Sequence, residues 1–188
     1  WGAREMAKNT SKITHRITTK TLSVTTENFV VHPSVAKAFQ IYCENFSTPS
    51  AHQNSHKPLI FDVIKDDDRF YFFDNFAEVV LVNDDTNVTI RPLPLSNIDI
   101  ERRAWASLKA DFYALKPINP KIFNELKQYM PKKIAEELFG GNMTIEKILA
   151  DLQLERHHYD YQAKLQREHR QYTFPLFSQL IQEALDGY

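Results

Sequence analysis

The segment from residue 155 to residue 172, ERHHYDYQAKLQREHRQY, concentrates side chains that can contact nucleic acid. After its first residue it holds four cationic residues and two acids, with three histidines and three tyrosines between them. Side chains of these types reach phosphates and base edges. We predict a helix that contacts duplex DNA through Arg156, His157, Tyr159, Gln162, Lys164, Arg167 and Arg170. A solvated amphipathic helix is an equally good interpretation of the same residues.

The single cysteine, Cys43, is the residue best suited to nucleophilic chemistry. It lies in the apolar helical pattern of residues 39–43, so we predict a partly buried and inert thiol. The sequence has only four glycines, and it contains no Walker loop, no dinucleotide-binding glycine motif and no nucleophile elbow. We therefore predict that the protein has no catalytic residues and is not an enzyme.

Two groups of residues could hold a metal ion. The acidic run at 66–68 is better interpreted as a solvated turn, because no further oxygen ligand is spaced to complete a site. His157, His158 and His169 form the second group, but neighbouring helical residues point about 100° apart. No carboxylate or cysteine joins them at i, i+4 spacing. We predict no bound metal and no cofactor.

The DNA-contacting segment needs a helix before it and a turn to hold it in place. Ile145, Ile148, Leu149 and Leu152 have the spacing of one helical face. Thr144 can cap that helix, and it must do so alone because Lys147 stands where a capping box has an acid. We predict a packed helix, a turn at residues 153–155, and the DNA-contacting helix after it.

The rest of the chain divides into a mixed block and a helical block. Strands are predicted at 22–24, at 59–64 with a hairpin return at 69–73, and at 88–91. A helix capped by Ser34 follows the first strand, and residues 76–82 could be helix or strand. From Ser96 onward, cap residues, prolines and apolar spacing predict only helices. The fold class is therefore α+β, a small mixed sheet with helices followed by an all-helical part.

Composition and charge exclude several classes of protein. The 188 residues suit one domain or two small ones, and 43% hydrophobic residues are typical of a globular chain. No apolar run is long enough to span a membrane, and one cysteine favours the cytoplasm. The net charge of −1 excludes a uniformly basic nucleic-acid binder. Residues 1–60 are nevertheless basic and residues 61–111 acidic, so a local basic face is compatible with the composition.

Three stretches, TLSVTTENFVVHPS, KPLIFDVIKDDDRFYFFDNF and NVTIRPLPLSNIDIERRAW, occur in an order similar to the N-terminal domain of ParB-family partition proteins. That domain shares its fold with sulfiredoxin. Downstream, MTIEKILADLQLER resembles the helix-turn-helix that follows this domain in the family. The resemblance covers about residues 21–170. It implies a ParB-like α+β domain at 21–108 and a helical domain with a helix-turn-helix-like segment at 109–188. The polar, Thr/Ser-rich composition of residues 1–20 separately predicts a flexible basic arm.

Two departures from the family pattern carry consequences for function. The family's nucleotide-contacting turn has the pattern G-E-R-R, and the residues here are Asn75, Phe76, Ala77 and Glu78. Without the arginines we expect neither tight binding of CTP or ATP nor nucleotide hydrolysis. In the helix-turn-helix, Leu149 replaces an alanine and Gln153 replaces the turn glycine. Gln153 is strained if its φ must be positive.

The preferred function is a DNA-binding protein of a bacterium, plasmid or mobile element, acting as a ParB-like partition protein or transcription regulator without nucleotide hydrolysis. Its expected location is the cytoplasm, associated with the nucleoid. An apolar helical face at 174–186 predicts a homodimer, unless that face packs on its own chain. The alternative is a non-catalytic interaction or regulatory module that uses the acidic block, and a sulfiredoxin-fold enzyme ranks below both.

Overall fold

The computed structural model describes residues 19–25, 27–46, 59–84 and 86–171, with the backbone alone for residues 169–171. All five described strands precede Leu93, and every described element after Ser96 is a helix, which confirms the predicted α+β order. In chain order the elements are β1 (Lys20–Val24), β2 (Phe29–Val31), a 3-10 turn (Pro33–Val35), α1 (Ala36–Asn45), β3 (Ile60–Asp66), β4 (Arg69–Phe72), α2 (Phe76–Val79), β5 (Thr86–Pro92), α3 (Asn97–Ala114), α4 (Pro120–Tyr129), α5 (Lys132–Phe139), α6 (Ile145–Asp151) and α7 (Arg156–Gln171).

The strands form one mixed sheet in the order β1-β5-β3-β4-β2. β3 and β4 are the predicted hairpin, antiparallel with Val63 opposite Phe72. Its turn contains Asp67 at φ 48, a left-handed conformation that aspartate tolerates better than most residues. β1 pairs antiparallel with β5, whereas β3 pairs with β5 and β2 with β4 in parallel. The predicted strands at 22–24 and 88–91 are therefore confirmed.

Two local features differ from the predictions, and a third settles an alternative that the sequence left open. β2 was missed, because three residues form a strand here only through their parallel pairing with β4. The prediction that Ser34 caps α1 is wrong: Ser34 lies inside the 3-10 turn, where its N–H donates to the ring of His32, and α1 has no side-chain cap. Residues 76–79 form a helix rather than a strand.

A single hydrophobic core joins the mixed block to the helical block. α3 runs without interruption through residue 108, where a domain boundary was predicted, and buries Trp105, Leu108 and Phe112. Its Lys109 donates a hydrogen bond of 2.6 Å to the carbonyl of Leu138 at the end of α5. The buried side chains on both sides of residue 108 belong to one cluster. The two-domain division remains a prediction.

Helix ends in the second block follow the local signals in the sequence. Ser96 caps α3 by accepting from the N–H of Asp99, and Asn119 caps α4 with Pro120 as its first residue. Gly140 ends α5 at φ 64. Each of these ends depends only on neighbouring residues, and the helices predicted from Ser96 onward are confirmed.

Some predictions fall partly or wholly outside the described residues. Residues 1–18 of the predicted basic arm lie outside them, and Lys20 is the first residue of β1. The predicted dimerisation segment at 174–186 also lies outside them. Cys43 is described, and the prediction of partial burial is wrong because it is exposed on α1. The surrounding protein still removes enough hydration to raise the pKa of this thiol, which disfavours the reactive thiolate. Among the described helices, none is both long and apolar enough to cross a membrane.

Candidate functional site

The packed helix of the candidate site, α6, is held against the core by one apolar face. Ile145, Ile148 and Leu149 are buried, as their spacing predicted. The Thr144 hydroxyl caps the helix by accepting from the N–H of Lys147 at 3.3 Å, and the Lys147 ammonium donates to the carbonyl of Gly140 at 2.8 Å. α6 is therefore fixed at its first turn as well as along its length.

The turn between α6 and α7 closes with a left-handed residue. Gln153 has φ 55, and the N–H of Leu154 donates to the carbonyl of Leu149 at 2.9 Å. This is the Schellman pattern of a helix C-terminus, and Gly140 has the same position at the end of α5. A positive φ at Gln153, predicted to cause strain in a residue other than glycine, is observed.

α7 packs along α4 through one side. The Tyr159 ring lies edge-on to Phe123 with centroids 6.0 Å apart. Two turns later the amide of Gln166 donates to the Asn119 side chain at 2.5 Å. Gln162 is half-buried on the same side. The contact therefore fixes which residues of α7 face solvent.

The predicted DNA-contacting residues divide between the two sides of α7. Arg156, His157, Lys164 and Arg167 are exposed on the solvent side. Tyr159 and Gln162 are half-buried toward α4, and the side chain of Arg170 lies outside the described residues. Tyr161, which the sequence analysis left out, is 59% exposed. Its position follows from the side on which α4 packs, and no local sequence signal carries that information.

Two of the exposed cations of α7, Arg156 and Lys164, are paired with acids, whereas Arg167 donates through Nε to the carbonyl of Ala163. Arg156 binds Glu146 of α6 through Nη1 and Asp160 through Nε, the latter at 3.0 Å. His157 contacts Glu155 at 2.9 Å, and Lys164 lies 3.7 Å from Glu168. A backbone hydrogen bond and then the Arg156 guanidinium lower the pKa of Glu146, so this acid is ionised at neutral pH. A phosphate that binds Arg156 through Nε or Nη1 must therefore compete with a carboxylate.

A second charged cluster, which the sequence analysis missed, joins the sheet to α3. The Asp62 carboxylate accepts from Arg91 Nε and from Arg103 Nη2, both at 2.5 Å. The same Arg103 nitrogen lies 2.6 Å from Asp74, and its guanidinium stacks over the Phe73 ring with 5.0 Å to the centroid. We name these residues the Asp62 cluster; they are Asp62, Asp74, Arg91 and Arg103.

The two acids of the Asp62 cluster have pKa values shifted in opposite directions. Desolvation acts to raise both pKa values, and for Asp62 the hydrogen bonds from Arg91 and Arg103 outweigh it, so the pKa lies below its usual value. For Asp74 desolvation prevails over Arg103, and the pKa is raised. One sequence signal could have indicated the cluster: Asp62 is the only charge in the apolar run at 59–64, and a buried carboxylate needs a cation.

Neither a metal site among the described residues nor a relative of known function helps to identify the candidate site. Among those residues, no group of three or more His, Cys, Asp or Glu side chains is arranged to hold a metal ion. Comparison of the chain with protein-family models, with curated protein sequences and with solved structures finds no match.

Proposed function

We propose that the chain binds duplex DNA through α6 and α7, with the exposed side of α7 entering the major groove. One observation carries the proposal: a capped short helix, a four-residue turn closed by the left-handed Gln153, and a long second helix follow one another without a break. DNA-binding helix-turn-helix units have this order of elements, and they read base edges with the first residues of the second helix. Here those residues are Arg156 and His157.

The packing around α7 supports a role in which this helix is presented rigidly. α4 contacts it through Phe123 and Asn119, and α6 precedes it across a turn of four residues. Because α4 and the turn after α6 both hold α7, its exposed side chains keep fixed positions. This lowers the entropy lost on binding. The exposed side chains could then contact base edges and phosphates together.

The charge of α6 and α7 is nearly balanced, so affinity for DNA must come from specific contacts rather than from general attraction to phosphate. Between residues 145 and 168 there are five acids and four cations, so this surface lacks the excess of positive charge that gives strong non-specific binding. Arg156 must exchange Glu146 and Asp160 for a phosphate or a base edge. The paired acids would weaken binding to random DNA, which favours a protein that discriminates between sequences.

The test compares two triple variants of the full chain in DNA binding at several salt concentrations. The variant R156A/K164A/R167A removes the exposed cations of α7, whereas the matched control K65A/R69A/K133A removes three exposed cations from the sheet and from α5. Each lost phosphate contact should reduce the slope of log K against log salt by about 0.9. We expect at least about a tenfold loss of affinity for the first variant and parental binding for the second.

Equal binding by the parent and both triple variants would reject α7 as the DNA-contacting element. The non-catalytic interaction module would then be the better proposal. A complementary variant, E146Q/D160N, removes the two carboxylates that compete for Arg156 without changing side-chain size. If α7 contacts phosphate, this variant should bind DNA more tightly than the parent.

A ParB-like role in partition or transcription, associated with the nucleoid, is the finer form of this proposal. Its support is the order of elements and Asn75, which adopts φ 54 at the position aligned with the family's glycine. Ala77 and Glu78 replace the phosphate-binding arginines, so calorimetry with Mg²⁺ and CTP or ATP should give no low-micromolar binding. Binding in that range would reject the part of the proposal that excludes nucleotide.

Dimerisation through residues 174–186 completes the proposal, because paired DNA-binding units gain affinity from two half-sites. Light scattering on a chain that ends at Thr173 should give half the mass of the full chain. An unchanged mass would show that these residues do not form the dimer contact.

A further inference from the structure

A small cavity lies at the base of α7, where the α3–α4 connection meets the turn before α7. Its volume is about 230 Å³. Pro117 and Ile118 form one wall, Leu149 and Leu154 form another, and His158 and Tyr159 of the first turn of α7 complete it. The cavity therefore touches α6, the turn and α7 at the same time.

The lining combines an apolar interior with positive or neutral polar groups. Ile118 and Leu149 are buried, and Leu154 is half-buried. Lys116 and His158 also line the cavity and are exposed, which places them toward solvent. No acid lines it. The Tyr159 hydroxyl makes no hydrogen bond to any other described residue, and Tyr159 lines the cavity.

Size and charge together limit what this cavity can hold. An apolar protein cavity of about 150 Å³ is large enough for benzene. The larger volume here accommodates one ring or a short branched chain together with a small polar group. Because the polar lining offers cationic and hydroxyl donors without a carboxylate, the polar group that fits best is an anion.

We propose that this cavity binds a small monocarboxylate with an apolar body. The carboxylate binds Lys116 and His158 at the mouth, with the Tyr159 hydroxyl as a third donor. The apolar body packs against Ile118, Leu149 and Leu154. Such a ligand contacts the base of α7 next to Arg156, whose guanidinium lies 5.8 Å from the centroid of the Tyr159 ring.

Occupancy of the cavity would change DNA binding, and this part rests on the proposed function. A ligand that contacts the turn and the first turn of α7 alters the freedom of Arg156 and His157, which follow the turn directly. Two ligands that act on one element are coupled, and each changes the affinity of the other by the same factor. Ligand binding itself does not depend on whether the chain binds DNA.

The test uses the full chain with benzoate as the probe and benzyl alcohol as its neutral counterpart. NMR titration should place benzoate at the cavity residues with a dissociation constant in the millimolar range or below. Benzyl alcohol should bind at least about fivefold more weakly, because it lacks the charge that the Lys116 ammonium attracts.

Two lysine variants separate a specific site from general attraction to charge. Lys116→Met keeps the apolar stem and removes the ammonium, so it should weaken benzoate at least about fivefold and leave benzyl alcohol unchanged. Lys133→Met, on an exposed position of α5, should change neither. A third variant, Leu154→Phe, fills the cavity from its half-buried side and should weaken both probes.

Three results would overturn the inference. They are no binding of benzoate at tens of millimolar, equal binding of the two probes, or an unchanged benzoate affinity in Lys116→Met. The coupling is measured separately, as the DNA affinity of the parent with and without saturating benzoate. If benzoate binds while DNA affinity stays the same, the cavity is a carboxylate-binding site, and only its coupling to DNA binding is rejected.

Discussion

The molecule holds the same two chemical groups, guanidinium and carboxylate, in two different settings. In the Asp62 cluster the Asp62 side chain is 5% exposed, whereas Glu146 beside Arg156 is 67% exposed. Distances hardly distinguish the two settings, since Asp62–Arg91 measures 2.5 Å and Asp160–Arg156 measures 3.0 Å. The difference in burial decides their roles: the first cluster holds α3 to the sheet, and the second leaves its cations available for exchange.

The largest effect is expected from removing the charge at the centre of the Asp62 cluster. Asp62→Asn leaves Arg91 and Arg103 without the buried carboxylate that both contact. Breaking a buried pair typically costs about 3–5 kcal/mol, and the partial exposure of both arginines lowers our expectation to about 2–3 kcal/mol. Urea denaturation measures the loss. The matched change Glu146→Gln should leave the midpoint unchanged, and equal shifts would contradict the comparison.

A smaller effect is expected at the second acid of the same cluster. The protein raises the pKa of Asp74, so its ionised form gains nothing from folding, in contrast to that of Asp62. Asp74→Asn should therefore cost less than about 1 kcal/mol. The pH dependence should differ as well. The stabilisation from Asp62 is present above pH 4 and is lost as the pH falls through its lowered pKa, so only Asp62→Asn should flatten the acid limb of the stability curve.

Asp111 on α3 sharpens the comparison because it is a partly buried acid that pairs with no cation among the described residues. Desolvation raises its pKa to about 6, and it makes no hydrogen bond to another described residue. Folding therefore favours its protonated form, and stability should rise as the pH falls from 7 toward 4. Asp111→Asn should reduce that rise and stabilise the protein at pH 7.5 by about 1 kcal/mol, after allowance for solvent screening. Chemical denaturation at both pH values tests this prediction.

The smallest effect on stability is expected from the backbone of the turn between α6 and α7. Gln153 and Gly140 occupy equivalent left-handed positions after α6 and α5. A non-glycine residue pays strain there, partly offset by the greater entropy of glycine when unfolded, so Gln153→Gly should stabilise the fold by about 0.5 kcal/mol. Gly140→Gln should destabilise it by a similar amount. If both substitutions destabilise, the Gln153 side chain contributes more than its backbone strain costs.

Sequence signals sufficed where the interacting residues are close along the chain. Ser96 and Asn119 cap helices within three residues, and the hairpin turn at Asp67 joins adjacent strands. β2 could not be predicted, because its three residues depend on β4 about 40 positions later. The contact between Asp62 and Arg103 spans 41 positions and was missed for the same reason.

The candidate site shows the same limit. The existence of α6, the turn and α7 could be predicted from apolar spacing and the Thr144 cap. Which donors of α7 reach solvent could not, because that depends on the position of Phe123 in α4. Tyr159 therefore entered the set of predicted DNA contacts, and the exposed Tyr161 was omitted.

The β1–β5 pairing has a consequence for the order in which the chain folds. Leu22 lies opposite Val88, so this pairing closes a loop of 66 residues, whereas the hairpin closes one of 9 between Val63 and Phe72. The longer closure costs about 2 kcal/mol more in chain entropy. We expect β3 and β4 to form early and β1 to join the sheet last. In native-state hydrogen exchange, the amides of β1 should open more readily than those of β3, which lies between β5 and β4.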